Sequence, residues 1–151
     1  MTTQAMLLLK KIIDIFFALV GSIVFLPVIF LIVIVVKCVS PAAPAIFLQN
    51  RIGFHGKEFT IFKLRTMTNQ KDENGQLLSD EIRLKKWGKI IRATNIDELT
   101  QILNILKGEM SWIGPRPLLA KEMLVMTQEE QRIRQSMLPG ITGWEAVNEG
   151  K

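Results

Sequence analysis

The chain has 151 residues, which suits one compact domain with an appendage, and 48% of its residues are hydrophobic. It carries 19 Lys and Arg residues against 14 Asp and Glu residues, a formal net charge of +5. A nucleic-acid-binding protein would need a denser basic patch with interleaved aromatic residues, and this chain has no Tyr, so that class is excluded. The single Cys excludes an intramolecular disulfide and is compatible with a reducing cytoplasmic setting.

Residues 15–36 form an uncharged, predominantly apolar run of 22 positions, longer than the roughly 18 apolar residues that indicate a membrane helix. The run is too long for a cleaved signal peptide, and no small-residue cleavage site follows closely. Pro27 lies near its centre and predicts a kink or a break, because proline removes a backbone donor. Lys10, Lys11 and Lys37 flank the run at both ends. A re-entrant segment that bends at Pro27 would keep both flanks on the cytoplasmic side, whereas a kinked single-pass helix is the alternative.

Residues 40–44, Ser-Pro-Ala-Ala-Pro, cannot continue a helix and separate a membrane segment at 1–39 from a soluble domain at 40–151. The soluble part holds 16 Lys and Arg residues against 13 Asp and Glu residues. This moderate basic excess suits an anionic membrane surface and phosphorylated substrates.

Two short apolar runs, 45–48 and 59–64, are separated by a turn region that contains Gly53 and Gly56, which predicts a β-hairpin. His55 in that turn is expected to be an exposed loop residue.

Lys63 and Arg65 are two positions apart and therefore share one face of the second strand. Two cations on one face can hold a phosphate. Protective charges on a solvated edge strand are the alternative.

Residues 68–80 are polar and predict a mobile loop, and a basic amphipathic helix is predicted from about 80 to 92. Its apolar stripe consists of Leu84, Trp87 and Ile91. Such a helix can lie on a membrane surface or pack on the protein core.

Asp97 and Glu98 open an apolar-periodic segment that predicts a helix ending near Gly108. With Asn95 as N-cap, Glu98 would complete a capping box, so capping alone could explain the two carboxylates.

Two arginines favour a catalytic role for Asp97 and Glu98 over helix capping alone. Arg92 precedes Asp97 by five residues, and Arg116 lies between Pro115 and Pro117, where a rigid guanidinium suits a phosphate. Carboxylates beside phosphate-binding groups indicate metal-assisted phosphoryl chemistry, with a carboxylate available as nucleophile. The later acidic residues Glu122, Glu129 and Glu130 are expected to be ordinary surface charge.

Taken together, the motifs resemble those of the bacterial sugar transferase family, the monotopic polyprenyl-phosphate phosphoglycosyl transferases. The matching segments are 10–14, 49–53, 62–67, 97–99, 106–111, 114–117 and 139–144. So many ordered matches are more specific than one short motif.

The resemblance implies an α+β fold with an N-terminal re-entrant membrane helix-break-helix, a small β-hairpin and amphipathic surface helices in a compact monotopic membrane domain. It implies transfer of a sugar 1-phosphate from a UDP-sugar to undecaprenyl phosphate, with release of UMP. This reaction is the first membrane step of polysaccharide or glycoconjugate assembly, at the cytoplasmic face of the bacterial inner membrane. Anionic membrane lipids and downstream glycosyltransferases are the further partners it implies.

The resemblance also implies roles for individual residues. Asp97 would be the nucleophile that forms a phosphosugar-aspartyl intermediate, and Glu98 would assist through Mg²⁺ ligation or proton transfer. Both carboxylates would serve as Mg²⁺ ligands. The substrate-binding residues would be Lys63, Arg65, Arg92, Pro115, Arg116 and Pro117.

The chain departs from the family pattern at several places. Family chains usually continue for several tens of residues beyond the motif at 139–144, whereas this sequence ends at Lys151. Thr100 stands where a proline is common, and Glu-Ala-Val-Asn at 145–148 lacks the usual Gln. Because of these departures a second hypothesis stays open, in which the chain is a catalytically impaired membrane-anchored module that binds donor or lipid. The intact Asp97, Glu98 and Arg116 favour the enzyme.

Overall fold

The computed structural model describes residues 3–148. Its α-helices are α1 (Thr3–Val39), α2 (Asp80–Arg83), α3 (Lys86–Ala93), α4 (Ile102–Leu106), α5 (Ala120–Met123), α6 (Gln128–Gln135) and α7 (Trp144–Asn148). Its strands are β1 (Ile46–Ile52), β2 (Glu58–Leu64), β3 (Ser111–Ile113) and β4 (Gly140–Thr142). Two 3₁₀ segments lie at Phe54–Gly56 and Ile96–Gln101. This mixture of helices and short strands confirms the predicted α+β class.

The described residues divide into two compact units. The first unit contains residues 3–23, 48–61 and 101–148, and the second contains residues 24–47 and 62–100. Ile61, Ile102, Ile105 and Met110 are each at most 1% exposed and form the core of the first unit.

Helix α1 is long and apolar enough to cross a membrane, and most of its large apolar side chains are exposed. Its 37 residues would extend over about 55 Å at the usual rise per residue, well beyond the ~30 Å of a bilayer core. The helix runs through Pro27 without an interruption, so the predicted helix break is not observed. Ser22 Oγ donates to the Ala18 carbonyl at 2.6 Å, a bond that often bends helices. Re-entrant insertion stays a prediction.

The predicted hairpin is confirmed, with a longer first strand than expected: β1 and β2 pair in a two-stranded antiparallel sheet. The Gly53 N–H donates to the Lys57 carbonyl at 2.9 Å and closes the turn. His55 is exposed, as predicted, and has a φ of 54°.

A second sheet, which the sequence did not reveal, pairs β3 and β4 in parallel, with Ser111 opposite Gly140 and Ile113 opposite Thr142. Gly114 and Gly140 allow this approach. A Cβ at Gly140 would lie 2.1 Å from the Gly114 nitrogen, so no side chain fits there.

The predicted helix over 80–92 is divided in two, because Leu84 has non-helical angles (φ −83°, ψ 87°) between α2 and α3. Gly88 in α3 is buried, and it lets the helix lie directly on the backbone of Thr66. Leu84, Trp87 and Ile91 are only partly exposed, in keeping with a helix face that packs on the protein.

Candidate active site

Asp97 and Glu98 lie in the 3₁₀ segment Ile96–Gln101 rather than in the first turn of an α-helix. The residue before the segment, Asn95, has a φ of 52°, and its carbonyl accepts from the Glu98 N–H at 3.1 Å. An N-cap normally has extended angles, so the left-handed backbone of Asn95 excludes the predicted capping box. The Glu98 carboxylate is instead engaged by a lysine.

That lysine is Lys63 on β2, whose Nζ lies 2.7 Å from Glu98 Oε1. The two side chains are 20% and 28% exposed, so the ion pair is only partly hydrated. Lys63 therefore faces Glu98, and its predicted role in binding a phosphate stays a prediction. Lys63 and Glu98 are 35 positions apart in the sequence.

Thr100 fastens the 3₁₀ segment to β2. Its hydroxyl donates to the Phe62 carbonyl at 2.7 Å, and the residue is 1% exposed. This bond brings the segment alongside the strand position next to Lys63. The sequence marked Thr100 only as a departure from the family pattern, whereas the structure shows that it positions the segment that carries Asp97 and Glu98, and a proline there could not donate this bond.

Asp97 is half-buried in the second unit. Burial raises the pKa of the Asp97 carboxyl above its usual value; the positive charge of Lys63 opposes this shift, the negative charge of Glu98 adds to it, and Arg92 opposes it. A carboxylate with a raised pKa is more basic and less hydrated than an exposed one. Such a carboxylate is suited to nucleophilic attack.

Arg92 stands at the end of α3, where its Nε donates to Thr66 Oγ1 at 2.9 Å. The residue is exposed, and its charge acts on Asp97. Asp97, Glu98, Lys63 and Arg92 thus form one group in the second unit, which we call the carboxylate cluster. An anionic carboxyl pair flanked by two cations is an arrangement suited to phosphoryl transfer.

Arg65 is engaged elsewhere in the second unit. Its Nε donates to the Pro44 carbonyl at 2.6 Å, its Nη1 donates to Asn69 Oδ1 at 2.6 Å, and its guanidinium lies 5.9 Å from the Phe47 ring centroid. Burial and the charge of Arg83 lower the pKa of Arg65. Arg65 is not among the charges that act on Asp97, so its joint role with Lys63 stays a prediction.

Pro115, Arg116 and Pro117 lie in the first unit and form a turn between β3 and α5. Pro117 is buried and Arg116 is exposed. The turn borders a small cavity of about 10 Å³, which has room for little more than one water molecule. The cavity is lined by Ile52, Gly53, Pro115, Arg116, Leu118, Met123, Arg134, Gln135 and Pro139.

Glu122 is not ordinary surface charge, contrary to the prediction. Its Oε2 lies 3.3 Å from Nη1 of Arg51, a residue that is 9% exposed. Glu129 and Glu130 are exposed, as expected. Hydrogen bonds from the Thr127 backbone and hydroxyl lower the pKa of Glu130, which caps α6.

Within residues 3–148, no group of three or more His, Cys, Asp or Glu side chains is arranged to hold a metal. Asp97 and Glu98 offer two adjacent carboxylates. Mg²⁺ is usually held by one or two carboxylates together with substrate phosphates and water. The donor set therefore fits a Mg²⁺ ion that binds together with a diphosphate.

Comparison with known proteins decides the family. The sequence model of the bacterial sugar transferase family matches residues 5–151. The chain belongs to the bacterial sugar transferase family. The resemblance inferred from the motifs is thereby confirmed.

The chain is 49% identical over 121 residues to EpsL of Bacillus subtilis, named as an uncharacterized sugar transferase, with 80% of this chain and 59% of EpsL covered. It is 37% identical over 149 residues to the UDP-N-acetylgalactosamine-undecaprenyl-phosphate N-acetylgalactosaminephosphotransferase of Aeromonas hydrophila, covering 94% of this chain and 34% of that protein. It is 37% identical over 145 residues to the UDP-glucose:undecaprenyl-phosphate glucose-1-phosphate transferase of Escherichia coli, covering 93% of this chain and 31% of that protein. The chain thus spans between about a third and three fifths of the length of these relatives.

Proposed function

We propose that this bacterial sugar transferase transfers a sugar 1-phosphate from a UDP-sugar to undecaprenyl phosphate and releases UMP. The observation that carries the proposal is the carboxylate cluster, in which the half-buried Asp97 has a raised pKa and lies among the charges of Lys63, Glu98 and Arg92. The names of the Aeromonas and Escherichia relatives, which describe this class of reaction, support the same assignment.

In the first step an Asp97 carboxylate oxygen attacks the β-phosphorus of the donor. The bond between that phosphorus and the oxygen bridging to the α-phosphorus breaks, and UMP leaves with the electron pair. The product is a phosphosugar-aspartyl mixed anhydride. A phosphate oxygen of undecaprenyl phosphate then attacks the same phosphorus, which frees the Asp97 carboxylate and yields the lipid-linked diphosphate sugar. Two displacements let one nucleophile serve a soluble donor and a membrane acceptor in turn.

The charges of the cluster explain how an anionic nucleophile can approach an anionic diphosphate. Lys63 and Arg92 provide positive charge around Asp97, and preorganised cations of this kind stabilise charge that develops on the transferred phosphoryl group. Arg116 is proposed to bind a substrate phosphate, as the family resemblance implies. Arg65 is proposed for the same role.

Asp97 and Glu98 would hold Mg²⁺, which when bound neutralises phosphate charge and polarises the phosphorus. The Glu98 carboxylate already accepts a hydrogen bond from Lys63. Its negative charge would then be shared between the lysine and a bound Mg²⁺.

The exposed apolar surface of α1 supports association with a membrane, where undecaprenyl phosphate resides. We assign the soluble part to the cytoplasmic face, where Lys10, Lys11 and Lys37 would lie if α1 re-enters at Pro27. Anionic lipids would then contact these lysines, and downstream glycosyltransferases would receive the lipid-linked product.

The test is UMP release in detergent with undecaprenyl phosphate, Mg²⁺ and a panel of donors that includes UDP-glucose and UDP-N-acetylgalactosamine. We expect turnover with at least one donor and a loss on the order of 10⁴-fold or more in Asp97→Asn, as for other covalent nucleophiles. Asp80→Asn is the matched control, since this carboxyl is 75% exposed and pairs with Arg83. If Asp97→Asn turns over at the wild-type rate, the covalent mechanism is wrong.

A further inference from the structure

Arg51, on β1 of the first unit, carries a guanidinium for which the proposed reaction has no direct use. The side chain is 10% exposed, although a buried charge is costly unless it is paired and hydrogen-bonded. Arg51 Nη1 donates to the Pro117 carbonyl at 3.1 Å and to Glu122 Oε2 at 3.3 Å. Its Nε and Nη2 both donate to Gln49 Oε1, at 3.2 and 2.8 Å. The guanidinium is thus fixed from two sides and directed at the turn that bears Arg116.

Further backbone carbonyls near Arg116 in the same turn also accept hydrogen bonds. The Gly140 N–H donates to the Pro115 carbonyl at 3.0 Å, and the Ile52 N–H donates to the Leu118 carbonyl at 2.9 Å. Consecutive residues of β1 therefore hold consecutive carbonyls, Arg51 with its side chain and Ile52 with its backbone. Because proline has no N–H, this turn cannot be stabilised by donors of its own at 115 and 117.

Glu122 completes the arrangement. Its Oε2 accepts from the Leu119 N–H at 2.7 Å as well as from Arg51, so one carboxylate neutralises the buried charge and caps α5 where it leaves the turn. Within this network Arg116 is exposed, whereas Pro117 and Arg51 are buried.

We propose that Arg51, held by Glu122 and Gln49, is a positioning residue that fixes the Pro115–Pro117 backbone so that the Arg116 guanidinium is presented to a phosphate group of the substrate. The inference rests on the proposed function, in which Arg116 binds that phosphate. A misplacement of about 1 Å in a positioned group can cost on the order of 10²-fold in rate. Loss of Arg51 should therefore weaken donor binding through Arg116.

A double-mutant cycle of Arg51→Met and Arg116→Met separates positioning from a purely structural role. We expect each single variant to raise the KM for the UDP-sugar by about tenfold or more, with a smaller change in kcat. In the Arg116→Met background, Arg51→Met should lower kcat/KM by less than about twofold while it still lowers the Tm by its full amount. If the two losses in kcat/KM multiply, Arg51 acts on the fold alone and the proposal is overturned.

Two further variants keep the test decisive if Arg51→Met does not fold. Glu122→Gln retains an acceptor at a side chain that is 43% exposed, and it should reproduce the KM effect in milder form and lose it in the Arg116→Met background. Arg132→Met is the matched control in the same unit, because its ion pair with Glu129 is 80% and 64% exposed. It should change neither KM nor the effect of Arg116→Met. A KM in Glu122→Gln equal to that of the wild type would overturn the proposal.

Failure of the proposed function gives a different result. If the wild-type chain releases no UMP with any donor, the reaction assigned above fails, and the same cycle is then measured as UMP affinity by calorimetry. Coupled losses of UMP affinity in the two variants support positioning by Arg51. Unchanged UMP affinity in Arg116→Met overturns it.

Discussion

Gly88→Ala tests how the second unit positions Arg92. A Cβ added at Gly88 would lie 1.9 Å from the Thr66 carbonyl oxygen and 3.0 Å from Leu84 Cδ1. Ordinary van der Waals contact begins at 3.4 Å, so the added methyl group is about 1.5 Å too close to the backbone. No rotamer change can relieve a clash between an alanine Cβ and a carbonyl oxygen. Helix α3 must therefore move away from Thr66.

Two opposing effects set the magnitude for stability. Overpacking costs about 1–3 kcal/mol, whereas Ala in place of Gly gains up to about 1 kcal/mol of helix propensity. We therefore expect a net loss of about 1–2 kcal/mol in unfolding free energy. The displacement also removes the 2.9 Å hydrogen bond from Arg92 Nε to Thr66 Oγ1. Because this bond orients the Arg92 guanidinium, we expect kcat/KM to fall by about 10²-fold.

The assays are thermal unfolding and UMP release with the preferred donor. Gly75→Ala is the control: Gly75 has a φ of 77° and no heavy atom within 4 Å of an added Cβ, so alanine there strains only an exposed loop. It should cost about 1 kcal/mol in stability and leave turnover unchanged. Wild-type kcat/KM in a folded Gly88→Ala variant would refute the claim that this contact positions Arg92.

Three further predictions concern the carboxylate cluster. Because burial raises the pKa of Asp97, the folded state binds this proton more tightly than the unfolded state, and stability falls as pH rises from the unfolded pKa through the folded one. Metal-free Asp97→Asn should therefore have a higher Tm than the wild type at pH 7, and thermal scans should show this advantage vanish toward acid pH; a lower Tm at pH 7 would contradict the assigned shift. Lys63→Met removes the positive charge that opposes the rise in the pKa of Asp97. The Tm difference at pH 7 between the chain with Asp97 and the Asp97→Asn variant should therefore be larger in the Lys63→Met background. A smaller Tm difference would mean that Lys63 does not act on Asp97. Thr100→Val leaves the Phe62 carbonyl without its hydroxyl donor and should cost about 1–3 kcal/mol in urea unfolding, and a loss below about 0.5 kcal/mol would show that the bond does not fasten the segment.

The elements with a local signal could be predicted from the sequence. The hairpin was marked by its glycines, and the four residues of the carboxylate cluster were marked by their types and by the motifs around them. What could not be predicted depends on contacts between distant residues. The ion pair of Lys63 with Glu98 requires the register of the 3₁₀ segment on β2, which Thr100 sets through a backbone carbonyl.

The errors have the same origin. Asn95 and Glu98 satisfy the local pattern of a capping box, but the left-handed backbone of Asn95 and the attraction of Lys63 prevail over it. Glu122 looked like surface charge because its partner, Arg51, is 71 residues away. The amphipathic pattern around Leu84 predicted one continuous helix, but the chain leaves the helical conformation at that residue. The packing of Gly88 on the backbone of Thr66 then fixes the position of α3.

The covalent intermediate tests the central claim most directly. Intact-protein mass spectrometry after incubation with the preferred UDP-sugar and Mg²⁺, without undecaprenyl phosphate, should show one added sugar phosphate per chain and one equivalent of UMP released. Peptide mapping should place the adduct on Asp97, and addition of undecaprenyl phosphate should remove it. Asp97→Asn should stay unmodified, with Asp80→Asn modified like the wild type. An adduct that persists in Asp97→Asn would contradict the account, as would turnover in that variant at the wild-type rate.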